Sequence, residues 1–301
     1  MITKEAGTIA PAAPAAPPVE EPRPSAARRR RAWDEAPRWQ IYVPLGGYLL
    51  FTLVPFYWIL LFALRPAGST SLVPWPMTLD HFDKVWTERS FGTYFQNSVI
   101  IAVATLVMTT LVALAGGYAL ARFDFRIKRG FMLALLCSQF VPGALLLVPL
   151  FQIFAELRMI NSLVSVVIAE TVFQLPLSMI LISGFIRNVP YTLEEAAWVD
   201  GCNRFDAFRI VVLPLLRPGL IAVGSFAFVH AWNHFLFALM FLSDQSKQTI
   251  PVGLNTLMSS DSVDLGALAA GGIIAAVPVV VVFAFIQKWL ITGFSAGAVK
   301  G

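Results

Sequence analysis

The sequence predicts an all-α integral membrane protein with six transmembrane helices, and three observations predict it. The chain is 57% apolar and only 13% charged, with a mean hydropathy of +0.71. Soluble domains carry about a quarter charged residues, so 301 residues of this composition could not cover a water-exposed surface. Apolar stretches of membrane length recur along the chain, each reaching the ~20 residues that cross a hydrocarbon core. Lys and Arg gather on one side of those stretches. The net charge of +4 is therefore a statement about topology, and nucleic acid is not an expected partner.

Residues 1–38 are rich in Ala and Pro and include Arg28-Arg29-Arg30-Arg31. Such a segment buries too little apolar surface to repay its ordering, which predicts a disordered cytoplasmic tail. The arginine run reads as a topology determinant. No short apolar core precedes a small-residue cleavage site here, so the first helix is expected to be a retained anchor.

The six expected spans are Ile41–Leu64, Phe95–Ala121, Phe131–Ala155, Leu163–Arg187, Gly219–Leu242 and Leu268–Thr292. Tyr42, Trp58, Tyr94 and Trp289 lie near their ends, where interfacial aromatics are expected. Pro142, Pro149, Pro176 and Pro278 interrupt apolar runs, as kinks beside a pathway or as packing devices. With the N-terminus inside, 17 of the 22 Lys and Arg fall on the inner side and five outside. Both termini and the loop 188–217 are then cytoplasmic. Cys137 and Cys202 fall in a span and in that loop, which predicts no disulfide.

Loop 188–217 carries the most informative residues. Glu194-Glu195-Ala196-Ala197-Trp198-Val199-Asp200-Gly201 is charged and Gly-broken, so it must leave the bilayer. Pro190 and Thr192 mark a helix start, and Thr192 with Glu195 has capping-box spacing. Ala196 and Ala197 would let another surface approach. Gly201 is placed to stop the helix with positive φ. A second short helix should follow, with Phe205 and Phe208 on one side and Arg204 and Arg209 beside them, until Pro214 breaks the chain.

This pattern resembles the EAA loop of binding-protein-dependent ABC importer permeases: E-A-A, three residues, G, nine residues, I, any residue, L-P. Glu195, Ala196, Ala197, Gly201, Leu213 and Pro214 match it, and Val211 stands in place of Ile. Asn97-Ser98, Tyr118-Ala119-Leu120-Ala121-Arg122-Phe123, Val141-Pro142-Gly143 with Pro149, Ala231-Trp232-Asn233 and the ending Ala296–Gly301 resemble sugar-type permeases. The ending is similar to that of the smaller permease of maltose-type importers.

The resemblance implies a type I importer fold, with a five-helix core at 95–292, an added first helix with its outer loop at 39–94, and a tail at 293–301. It implies a bacterial or archaeal plasma membrane, a second homologous permease, an ATPase dimer, an external solute-binding protein and a sugar substrate. The loop would dock on the ATPase. Glu194, Glu195 and Asp200 could pair with basic residues there or form a solvated face, and exposed pairs contribute only about 0–1 kcal/mol. The outer loop Arg65–Thr93, with Trp75 and Trp86, could touch the binding protein or pack over helix ends.

Other chemistry finds little support. The sequence has no G-x-x-x-x-G-K-[ST] or G-x-G-x-x-G loop, so ATP and Mg are expected on a separate ATPase and no cofactor on this chain. His81, His230 and His234 form no catalytic or metal-ligand pattern. An ion-coupled carrier would need a relay of buried carboxylates, and Glu170 is the acid that falls within a span. Glu170, Gln174 and Ser178 make one polar stripe on the fourth span, and His230, Asn233 and His234 another on the fifth. These could line a sugar path, with Trp232 or Phe235 stacking on a ring, or could bond helix to helix.

Overall fold

In hydrocarbon every backbone N–H and C=O must find its partner within the segment, and apolar stretches therefore become helices. The structure, a computed structural model, describes residues 39–259 and 263–298, with side chains to Lys288. The expected tail at 1–38 and the side chain of Trp289 lie outside the described residues.

Eleven principal helices follow in chain order: α1 (Trp39–Leu64), α2 (Phe91–Arg122), α3 (Lys128–Ser138), α4 (Gly143–Glu156), α5 (Leu163–Arg187), α6 (Thr192–Val199), α7 (Arg204–Leu215), α8 (Arg217–Asn233), α9 (Leu236–Phe241), α10 (Ile250–Met258) and α11 (Leu265–Ala298). Four of these helices are long and apolar enough to cross a membrane: α1, α2, α5 and α11, the last judged over Leu265–Lys288. Two sharply bent pairs, α3 with α4 and α7 with α8, raise the number to six if each is one span. The chain divides into two compact units after Pro55, within α1. The described residues of the first unit, 39–55, are helical throughout and expose their side chains.

In the second unit α2 and α5 form the central pair. A Cβ on Gly117 would stand 2.7 Å from Ile182 Cγ2 and 3.1 Å from the Ser183 amide nitrogen. Only glycine lets the two backbones come this close, the means by which membrane helices associate without a hydrophobic drive. One buried cluster gathers Ala113, Ile182, Ile186, Val212 and Leu216 from α2, α5, α7 and the turn before α8. A second holds Phe91, Phe154, Trp232, Phe237, Phe241 and Ile250.

Polar bonds lock the connection between α9 and α10 to α2. Asn97 Nδ2 donates to the carbonyls of Ser246 (3.0 Å) and Gln248 (2.9 Å), and Ser98 Oγ accepts from the Ile250 amide at 3.0 Å. At the other end of α2, Lys128 Nζ lies 2.9 Å from Asp124 Oδ1. That ammonium holds the Asp124 carboxyl below its ordinary range, by hydrogen bond first and charge second.

Several expectations are corrected here. The third span is broken: α3 and α4 meet at 102° across Ser138–Gly143. Pro142, extended at φ −62° and ψ 128°, precedes α4 and disfavours helix in the residue before it. The fifth span is also broken, with His234 extended at φ −75° and ψ 124° between α8 and α9. Pro214 does not end its helix, because the backbone widens into a π-turn over Phe208–Val212 and runs on to Leu215. The turn of 74° comes at Leu216 instead. Tyr94 is no interfacial anchor; it is 2% exposed and packs on Phe91 at 5.6 Å. The last helix continues past Thr292 to Ala298. Pro149, Pro176 and Pro278 lie inside helices that continue through them. Cys137 and Cys202 are free thiols.

Candidate functional site

The loop between α5 and α8 folds as two short helices at a turn. The α6 helix ends in a Schellman motif: Cys202 N–H donates to Ala197 O at 3.0 Å and Gly201 N–H to Trp198 O at 3.1 Å. Gly201 has φ +91°, the conformation the sequence predicts and one that glycine adopts without strain. Asn203 then caps α7, its Oδ1 accepting from the Asp206 amide at 2.9 Å. The expected Thr192 cap is not formed. The backbone bonds begin earlier, with Leu193 N–H to Pro190 O and Glu194 N–H to Tyr191 O, so Thr192 is already inside the turn.

Glu194 turns inward, contrary to an expected role toward a partner. It is fully buried, and Arg122 Nε donates to its Oε1 at 2.6 Å. Tyr118 Oη donates to the other oxygen at 2.7 Å. Arg122 Nη2 reaches the Val189 carbonyl at 2.9 Å, and the guanidinium lies 5.4 Å from the Tyr191 ring centre. Both carboxylate oxygens thus have donors, which a buried charge requires. Ala197 also faces inward, at 8% exposure. Leu193, Glu195, Ala196, Val199 and Asp200 form the outward face of α6, with Val199 87% exposed. Phe205 on α7 is also exposed, while Phe208 packs edge-on against Tyr118 at 4.9 Å. Val211 and Leu213 are half-buried and Pro214 is exposed.

Tyr118 and Arg122 were not among the expected site residues. Their i, i+4 spacing at the polar end of an apolar helix is the signal that could have marked them as one face. Between that end and the loop lies a cavity of about 390 Å³ lined by Tyr118, Arg122, Tyr191, Trp198, Arg204 and Phe205.

A family model described as the binding-protein-dependent transport system inner membrane component matches residues 112–295, from the middle of α2 through both short loop helices to α11. The chain belongs to this family. It is 35% identical over 252 residues to the diacetylchitobiose uptake system permease protein DasC of Streptomyces coelicolor, covering 82% of this chain and 91% of the relative. It is 31% identical over 256 residues to the trehalose transport system permease protein SugB of Mycobacterium tuberculosis, covering 83% and 93%. A crystal structure of a bacterial ABC transporter involved in import of the acidic polysaccharide alginate matches with a TM-score of 0.70 at 20% identity, over 89% of this chain and 99% of that one. That likeness is one of fold. The chain is a multi-pass membrane permease, and a permease is not itself an enzyme.

Inside this permease a second polar site joins α5 to α8. Glu170 is fully buried, with His230 Nδ1 3.1 Å from its Oε2. His234 Nδ1 stands 2.7 Å from its Oε1, off the direction of a regular hydrogen bond. The two imidazoles stack at 5.3 Å. Gln174 is buried and reaches the Ala227 carbonyl at 3.5 Å, and Ser178 is buried below it. The polar stripe of α5 therefore faces α8. Asn233 is exposed and bonds back to Val229 O at 2.8 Å. Trp232 leaves the expected path altogether. It is 2% exposed, its Nε1 donates to Ala275 O at 3.0 Å, and its ring packs on Phe95 and Phe228. Phe235 is half-buried at the helix break.

Proposed function

We propose that this permease is the transmembrane subunit of an ATP-driven importer for a sugar or oligosaccharide, with α6 and α7 as the element that couples it to a separate ATPase. The observation that carries this reading is the pairing of an outward apolar face with an inward anchor on one short helix. Leu193, Ala196, Val199 and Phe205 are exposed on a segment that the charge pattern places in the cytoplasm, where unpartnered apolar surface is unfavourable. A cleft on an ATPase would cover it. Glu194, buried on the opposite face, ties any push on α6 to Arg122 and so to the end of α2. Closure of the ATPase dimer on ATP and Mg would then move the helices as rigid bodies between two states.

A second homologous permease, two ATPase subunits and an external solute-binding protein complete the assembly. Both termini lie in the cytoplasm. The sugar class rests on relatives whose names specify diacetylchitobiose and trehalose uptake. The test is uptake by cells carrying the four components. Depleting ATP should stop uptake, while a protonophore used at constant ATP should not. Uptake that follows the proton gradient and survives ATP depletion would establish an ion-coupled carrier instead.

A further inference from the structure

His230 lies roughly 20 Å along α8 from Arg217, at 1.5 Å per residue, and so within a hydrocarbon core about 30 Å thick. Its side chain is 39% exposed on this chain and that of His234 is 22% exposed, while Asn233 is open beside them. Ionisable and amide groups at this depth do not face lipid; they face a companion subunit or a water-filled path. We propose that His230, His234 and Asn233 form a ledge that hydrogen-bonds the hydroxyls of an uncharged saccharide, with Glu170 as the residue that positions both rings. This rests on the importer reading above.

The chemistry follows from which atoms are already engaged. Both Nδ1 atoms lie beside Glu170, that of His230 in hydrogen-bond geometry with one carboxylate oxygen and that of His234 close to the other but outside such geometry. With Nδ1 on the Glu170 side, Nε2 of each ring lies on the opposite edge, available to bond a hydroxyl. Asn233 commits Nδ2 to the Val229 carbonyl and keeps Oδ1 free to accept. Three polar groups thus sit together at the last turn of α8 and the residue after it, and a vicinal diol can supply the matching hydroxyls. Phe226, 50% exposed and 6.5 Å from the His230 ring, offers an apolar surface to the C–H face of a pyranose.

Charge selects against acidic sugars. Residues 163–186 and 218–246 contain no Lys or Arg, and Glu170 is the one acid in the α5 and α8 segments. A uronate would meet a buried carboxylate, and the arginines of these two helices stand only at their far ends, Arg187 and Arg217.

The experiment uses the complete importer in proteoliposomes, with radiolabelled diacetylchitobiose, trehalose and an alginate disaccharide as probes. At least one neutral sugar should be carried and the acidic one rejected. His230→Ala and His234→Ala should each raise the transport KM about tenfold, the loss of one hydrogen bond of about 1.4 kcal/mol, while co-purification with the ATPase stays unchanged. His230→Gln, which retains an acceptor, should recover much of the loss. Glu170→Ala should raise KM with little change in kcat, and Glu170→Asp should restore it. Equal uptake of the alginate disaccharide, or an unchanged KM in both histidine variants, would overturn the proposal and leave the importer reading standing. ATP-independent uptake, or uptake of none of the three probes, would overturn both.

Discussion

Arg122 Nε and Glu194 Oε1 stand 2.6 Å apart, although 72 residues separate them in the chain. Their side chains are 9% and 0% exposed. The pair therefore behaves as a buried rivet between the last turn of α2 and the first turn of α6. Removing one partner strands the other charge, at a cost of about 3–5 kcal/mol. Arg122→Ala should lower the Tm of the detergent-purified permease and uncouple ATP hydrolysis from uptake. Glu194→Gln, which keeps the shape and some hydrogen bonding, should do so less. A double variant Arg122→Ala, Glu194→Ala should be less unstable than the sum of its parts. Strict additivity would show that the pair contributes nothing.

Gly201 tests the turn after α6. Its φ of +91° strains any side chain by about 1 kcal/mol, and no atom lies within 4 Å of an added Cβ. Packing is therefore not the obstacle. Gly201→Ala should weaken ATPase attachment modestly, and Gly201→Asp, which adds charge to the outward face, should abolish uptake while membrane insertion stays intact. Asn203→Ser, which preserves a capping oxygen, should change neither. Co-purification with the ATPase and vesicle uptake measure both. Full attachment in Gly201→Asp would remove this loop from the coupling path.

Gly117 tests the central helix pair. A valine there would press on Ile182 and on the backbone at Ser183, and overpacking of this kind costs about 1–3 kcal/mol. Gly117→Val should lower the Tm, whereas Gly184→Ala on α5, where no atom lies within 4 Å of the added Cβ, should not. Equal stability of the two variants would mean that the α2–α5 crossing tolerates separation.

Trp232 separates core from path. Its indole donates to Ala275 O and is 2% exposed. Trp232→Phe should cost about 1 kcal/mol through the lost hydrogen bond and leave the KM for sugar unchanged. A changed KM with an unchanged Tm would return this residue to the pathway.

Features set by near neighbours in the chain could be read from residues alone. The membrane class follows from apolar length, which is a property of each segment. The end of α6 follows from Gly201, because the Schellman bonds close within six residues and need only one position with positive φ. The spacing from Glu195 to Pro214 was legible in another way, through its resemblance to the loop of a known permease family.

What required the folded chain is which face of each helix turns inward. Glu194 and Glu195 are equivalent by composition, yet one is buried against Arg122 and the other is exposed. Nothing local marks the break at His234, where neither Pro nor Gly is present; the ring's approach to Glu170, 64 positions earlier in the numbering, accompanies it. Trp232 and Asn233 are adjacent, and one enters the core while the other faces out. Periodicity places residues on a common face, but a buried charge settles only where a distant partner supplies its hydrogen bonds, and that partner is found by folding.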